Sequence, residues 1–479
     1  MKEGYVPQDQ RKKILLITDD IRLPSGVGNV GKDIVLNTAH RYNWVNLGGA
    51  LNHPDKGKRF DLSADVNKEM ELEDSSVTVY PISGYGEPQL LRNLLNVERP
   101  DAIFLITDPR YFTWLFQIEN EIRQKIPIAY LNIWDDYPAP AYNKEFYESC
   151  DALLGISKQT VNINKLVLRE AAEDKIIDYI PHGINTKYFY PIDEDHSQYP
   201  DLVDFQNQLF DGDDIEFSLL FNSRNIRRKQ IPDTMLAWKY FLDALPKEEA
   251  DKCVLVLHTQ PVDQHGTDLY AIRDYIFGPD SRSVRFSQSR LQVNMMNLLY
   301  NSCDAQILLT SNEGWGLSLT EALIVGNPII ANVTGGMQDQ MRFVDDEGNW
   351  FTPNADIPSN HTGRFKKHGE WAFPVYPTNR SLVGSVPTPY IWDDRCRPED
   401  AAKQIMKLYL MPKDNRKELG TKGKEWATSE EAGFTAKVMG ERVIKNLDEL
   451  FNTWTPRERY TFSNANDYTP DVINHKLLY

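Results

Sequence analysis

Short apolar runs alternate with helix-like stretches along most of this 479-residue chain, and the alternation starts twice. The first series opens at Lys13–Thr18 (KILLIT), closed by Asp19-Asp20 and followed by a glycine-containing loop and a helical stretch to about His40. Further strands are expected at Asn43–Leu47, Ala102–Ile106, Ile128–Ile133, Ala152–Ile156 and Ile176–Ile180. Strands apolar at every position are covered on both faces, and their alternation with helices predicts a parallel sheet between helical layers. The second series predicts strands Phe217–Phe221, Cys253–His258, Val284–Phe286, Gln306–Thr310 and Ile329–Val333. Its helices are expected from Pro232, over Val293–Asn301 and over Ser318–Val325, with Pro232 in a first turn, where proline is tolerated. The fold class is therefore α/β, with two doubly wound, Rossmann-like units.

A chain of this length exceeds one ordinary core, which agrees with two units. Residues 1–190 form the expected first unit, and the acidic stretch 191–214 reads as a linker. Residues 215–430 form the second, with a Pro- and aromatic-rich insertion near 350–392; residues 431–479 hold an amphipathic helix over about Glu431–Phe451 and a tail. Ligands of open α/β sheets bind beyond the carboxyl ends of the strands, so two such sheets point to a shared crevice.

Composition narrows the function. A formal charge of −16 argues against a broad polyanion-binding surface, because such affinity rests on neutralising phosphates. Cys150, Cys253, Cys303 and Cys396 are far apart, form no C-x-x-C pair and suit a reducing compartment. The opening MKEGYVPQDQRKK holds no apolar run and no later stretch suits a membrane span, so a cytoplasmic protein without a signal peptide is expected. Asp193-Glu194-Asp195 reads as a solvated charge run, and no metal site is expected.

The stretch SNEGWGLSLTEALIVGNPIIANVTGG (Ser311–Gly336) carries the strongest chemical signal. Glu313 and Glu321 flank a strand-to-helix turn containing Gly314 and Gly316, which allow a ligand close to the backbone at a helix N-terminus. Ser318 and Glu321 also match an S-x-x-E capping box, and Gly326-Asn327-Pro328 reads as a helix stop. A capping box does not explain Glu313. Directly after Phe217–Phe221 comes NSRNIRRKQ, where Arg224, Arg227, Arg228 and Lys229 gather at the strand's carboxyl end, as a diphosphate requires. Gly26-Val27-Gly28-Asn29-Val30-Gly31 matches G-x-G-x-x-G, but it lies several residues beyond its strand and no acidic residue ends the next one. An NAD-dependent oxidoreductase is the alternative that rests on this string.

In order and spacing, these motifs resemble the retaining family-four glycosyltransferases of the GT-B fold, from about Lys13 to Leu450. The family's E-x7-E pattern corresponds to Glu313 and Glu321, and its Arg–Lys pair to Arg224 and Lys229. PSGVGN is similar to its glycine loop, IPHGINTKYFYP to the end of its first domain, and VTGGMQDQM to its GG loop. The resemblance implies a C-terminal helix crossing back to the first unit and a UDP- or GDP-sugar donor, without a metal or other cofactor. Glu313 would hold donor-sugar hydroxyls and Glu321 the ribose. Arg224 and Lys229 would hold the diphosphate, helped by backbone N–H groups of Gly28, Gly316, Leu317 and Ser318. Where many relatives carry a histidine, this chain has Trp134-Asp135-Asp136, and Asp136 is assigned with Glu313 to the catalytic set. His182 and His265 are expected to be structural. The acceptor is left open among a glycan, a lipid-linked glycan, a protein, a small molecule and a modified nucleobase. A GT-B protein that binds sugar nucleotides without transferring them is the second alternative.

Overall fold

A computed structural model describes residues 4–279, 281–287, 291–357, 360–361 and 363–459. The first sheet has seven strands: β1 (Lys13–Asp19), β2 (Asn43–Ala50), β3 (Phe60–Asp61), β4 (Val77–Ser83), β5 (Ala102–Ile106), β6 (Ile128–Asn132) and β7 (Ala152–Gly155). Their spatial order is β3-β4-β2-β1-β5-β6-β7, all parallel except the short β3. The second sheet comprises β8 (Phe217–Asn222), β9 (Cys253–His258), β10 (Val284–Ser287), β11 (Ala305–Leu308), β12 (Ile329–Asn332) and β13 (Ala372–Val375). It runs β10-β9-β8-β11-β12-β13 and is parallel throughout. The order reverses at β1/β5 in one sheet and at β8/β11 in the other, so each sheet opens a crevice at those carboxyl ends.

Burial explains the apolar runs. Ile14–Ile17, Ala102–Ile106 and Val254–Leu257 are fully enclosed. All four cysteines are buried and unpaired. The helix Ala436–Thr453 returns to the first half, where Asp448 binds Arg41 at 3.0 Å and the Tyr42 hydroxyl at 2.6 Å. At its start the chain pairs with Ile184, whose N–H donates to Phe434 and whose carbonyl accepts from Ala436. A Cβ on Gly183 would lie 2.2 Å from the Thr435 carbonyl, so only glycine permits this crossing.

One expectation is corrected and two are filled in. Ile176–Ile180 is no ladder strand: it touches β7 through isolated bridges at Ile176 and Tyr179, while Asp178 turns away to Asn446 and Lys445 of the returning helix. The stretch read as a linker contains a helix, Tyr199–Leu209, whose Leu202 packs with Ile192 and Leu298. The insertion near 350–392 supplies β13, the edge of the second sheet, and an antiparallel hairpin of β14 (Asn379–Ser385) and β15 (Thr388–Arg395) that joins neither large sheet. Among the described residues no helix is long and apolar enough to cross a membrane.

Candidate active site

The turn after β11 is built to hold Glu313 in place. Trp315 is buried, donating its indole N–H to the Thr320 hydroxyl at 2.8 Å, while Gln340 donates to its carbonyl at 2.7 Å. Gly316 follows at φ +88°, a left-handed conformation that favours glycine, and starts the helix Leu317–Val325. The turn lies against the first half. A Cβ on Gly314 would sit 2.7 Å from the Ile133 carbonyl, and one on Gly335 would lie 1.9 Å from the carbonyl of Glu313. The GG loop thus clamps the Glu313 turn by backbone contact, with the Gly336 N–H donating to the same carbonyl at 3.0 Å.

The Glu313 carboxylate accepts from Arg228 at 2.9 Å and from Lys229, both at Oε2. Burial alone would raise its carboxyl, but the two cations hold it down at about 2. Burial lowers Lys229 in turn, against the pull of Glu313. Arg224 points elsewhere: it is exposed and bound to Asp263 at 2.9 Å. Sequence spacing therefore brings Lys229 to Glu313 but leaves Arg224 at a neighbouring loop.

The capping-box expectation for Ser318 and Glu321 fails. The N-cap is Gly316 and no side chain caps the helix, so the N–H groups of Leu317 and Ser318 stay open at its positive end. Glu321 instead accepts from the Tyr300 hydroxyl at 2.5 Å, and that hydroxyl accepts from Asn222 at the end of β8, 2.8 Å away. Burial raises the Glu321 carboxyl to about 7, against the bond from Tyr300.

Gly28, expected to offer its N–H to a phosphate, donates that N–H to the hydroxyl of the N-cap Ser25 at 3.0 Å. Its lack of a side chain serves packing, since a Cβ would lie 2.9 Å from the Leu23 carbonyl. The loop does reach the other half, for a Cβ on Gly26 would contact Leu317 at 3.5 Å.

Asp136, expected in the catalytic set, is not among the residues that line the cavity. It is fully buried, accepting from the Tyr137 N–H at 2.7 Å, Gln159 at 3.0 Å and Thr334 at 3.1 Å. Burial and the nearby Asp394 push its carboxyl well above the ordinary range. The cavity is lined by Asp135 instead, whose carboxyl is raised by burial against Arg228. Thr334 also contacts Asp394 of the hairpin at 2.8 Å, which ties the hairpin to the base of the cleft. His182 is buried beside Trp315 and pushed down to about 4 by that burial, as a structural histidine would be.

A cavity of about 590 Å³ opens between the halves, with Asp108 and Arg110 beyond β5, Asp135 beyond β6, Arg228 beyond β8 and Asn312 beyond β11. The hairpin closes its remaining side with Val383, Thr388, Ile391 and Arg395. Arg228 both lines the cavity and binds Glu313. Glu321, Lys229 and Ser318 lie outside its lining. Among the described residues no group of His, Cys, Asp and Glu side chains is arranged to hold a metal ion.

Residues 282–359 match the family described as glycosyl transferases group 1. The chain carries a glycosyltransferase domain. Its overall structure is similar to that of Anabaena HepE, solved with UDP and glucose, at TM-score 0.63 and 13% identity over 92% of this chain and 100% of that one. It is similar to sucrose-phosphate synthase from Thermosynechococcus elongatus at TM-score 0.62 and 15% identity, covering 92% and 100%. A UDP-forming α,α-trehalose-phosphate synthase from Burkholderia vietnamiensis aligns at TM-score 0.61 and 10% identity, over 92% and 99%. No curated protein sequence matches the chain. The architecture is GT-B, and this glycosyltransferase places its E-x7-E turn, its open helix terminus and its basic loop at one switch point, β8/β11.

Proposed function

We propose that this glycosyltransferase moves a sugar from a UDP- or GDP-sugar to an acceptor with retention of anomeric configuration, without a metal. The observation that carries the reading is Glu313, a buried carboxylate kept ionised by Arg228 and Lys229 on a turn clamped against the opposite half. Because both cations bond Oε2, Oε1 is left to accept from donor-sugar hydroxyls. The bond between the anomeric carbon and the diphosphate breaks as the acceptor oxygen bonds the same face. The acceptor proton passes to the departing phosphate oxygen. Negative charge grows on the diphosphate, where Lys229 and the open N–H groups of Leu317 and Ser318 stabilise it as fixed charges and Arg224 joins them on leaving Asp263. Asp135, at the cavity wall, orients the acceptor side. The neighbour solved with UDP and glucose supports a UDP-sugar as the first donor to try.

The test is incubation of the purified protein with UDP- and GDP-sugars and a mixed acceptor set, with product anomers read by NMR. Transfer with retention, undiminished by EDTA, is expected. Inversion, or loss on chelation restored by manganese, overturns those parts of the reading. Tight donor binding without hydrolysis or transfer would establish the binding-only alternative.

A further inference from the structure

Four arginines line the cavity beside the transfer site: Arg110, Arg227, Arg228 and Arg395. Three already have carboxylates. Arg110 is forked onto Asp108, Arg228 binds Glu313 at 2.9 Å, and Arg395 binds Asp393 at 3.1 Å. The Arg227 guanidinium has no ion pair or hydrogen bond among the described residues, and the residue is exposed and lines the cavity. In a chain of net charge −16, a guanidinium left without a carboxylate in a cleft is conspicuous. Arg224 and Lys229, two of the groups expected at the donor diphosphate, do not line this cavity, whereas Arg227 between them does.

We propose that the cavity under the β14/β15 hairpin is the acceptor site, and that it takes a small hydroxylated molecule bearing one oxyanion, phosphate or carboxylate, held by Arg227. The volume, about 590 Å³, suits a ligand of one or two sugar rings. A guanidinium matches an oxyanion by two parallel N–H···O bonds, which gives orientation as well as attraction. Val383 and Ile391 offer the hairpin's apolar wall, and Thr388, held by the Arg110 guanidinium, fixes that wall to the first half. The word acceptor rests on the proposed transfer reaction; the anion site rests only on the cavity and Arg227.

The test uses binding, not turnover. Hexose phosphates, hexuronates and their neutral parent sugars are titrated into the protein saturated with UDP, and UDP itself is titrated separately. At least one anionic member is expected to bind roughly tenfold or more tightly than its neutral parent. R227Q should erase that preference and R227K should retain part of it. The phosphate and carboxylate arms show which oxyanion the site prefers. If no anionic member exceeds its parent, if R227Q keeps the preference, or if R227Q chiefly weakens UDP binding, the proposal is overturned. A retained anion preference in a protein that neither hydrolyses nor transfers any donor sugar would instead refute the transfer reading and leave this site standing.

Discussion

The two sides of the cleft are assembled differently. On the second sheet, Arg224–Lys229 and Asn312–Ser318 directly follow β8 and β11, neighbours at the switch point, so short segments carry most of the expected donor chemistry. The cavity beside it is composed from β5, β6, β8 and β11 loop ends and a hairpin inserted after β13. One side is encoded as local motifs. The other exists only after distant segments meet, and its properties depend on how the hairpin closes.

The comparison predicts the largest losses on the local side. Lys229→Ala removes one of two cations on Glu313 and a stabiliser of the leaving group, and turnover should fall roughly 10²–10³-fold. Glu313→Gln should lose turnover to a similar order while melting stays measurable and cooperative. Steady-state rates beside melting curves check both. Near-normal turnover in either protein would mean that the clamped turn is not the chemical centre.

Next in size is a backbone test. Gly335→Ala would force a Cβ to within 1.9 Å of the Glu313 carbonyl at φ +55°, so the turn must move. Overpacking of this kind costs about 1–3 kcal/mol in stability. Turnover should fall further than that loss alone explains, because Glu313 and Asp135 both touch the GG loop's surroundings. A protein that is merely less stable, with unchanged kcat at low temperature, would show that clamping does not position the chemistry.

These contrasts also explain what could be read from the chain. Buried strands such as Ala102–Ile106 and Cys253–His258 were legible to the residue because near-continuous apolar runs need no tertiary information. Glu313, Lys229 and the Leu317–Ser318 terminus were legible as motifs. The Ser318/Glu321 capping box was not realised because Gly316 enters the helix in the left-handed region and places Ser318 inside the first turn. Choosing between Asp135 and Asp136 was beyond sequence, since the two adjacent carboxylates go to opposite environments: one to the cavity, the other to Gln159 and Thr334. Tyr300 and Asp394 carried no local signal, for each acquires its role from a residue far along the chain.

A smaller effect is expected from the hairpin. Ile391 lines the cavity and packs toward the first half's core, so Ile391→Ala should raise the acceptor KM several-fold with donor affinity unchanged. An equal change in donor and acceptor constants would merge the two sides into one site.

The smallest expected effect is on Glu321, where the donor side itself is least local. Its carboxyl sits at about 7 in the free protein, above its ordinary 4.5, because burial opposes the charge. If the ionised form accepts from both ribose hydroxyls, UDP binding must drive proton loss below that value. UDP affinity should therefore rise between about pH 6 and about pH 8 and level off above. Stability of the free protein carries the opposite sign. A raised folded value favours the native state fully below 4.5, and that contribution fades as pH rises through about 7. Glu321→Gln keeps an acceptor for the Tyr300 hydroxyl, so folding should persist, but it removes the charge. Calorimetric UDP titrations at both pH values, with melting curves alongside, should show affinity about twofold lower at the higher pH and a flat pH dependence. A Gln protein that binds UDP as tightly as the unsubstituted protein at both pH values would leave Glu321 as a structural partner of Tyr300 alone, and the donor side would then end at Glu313.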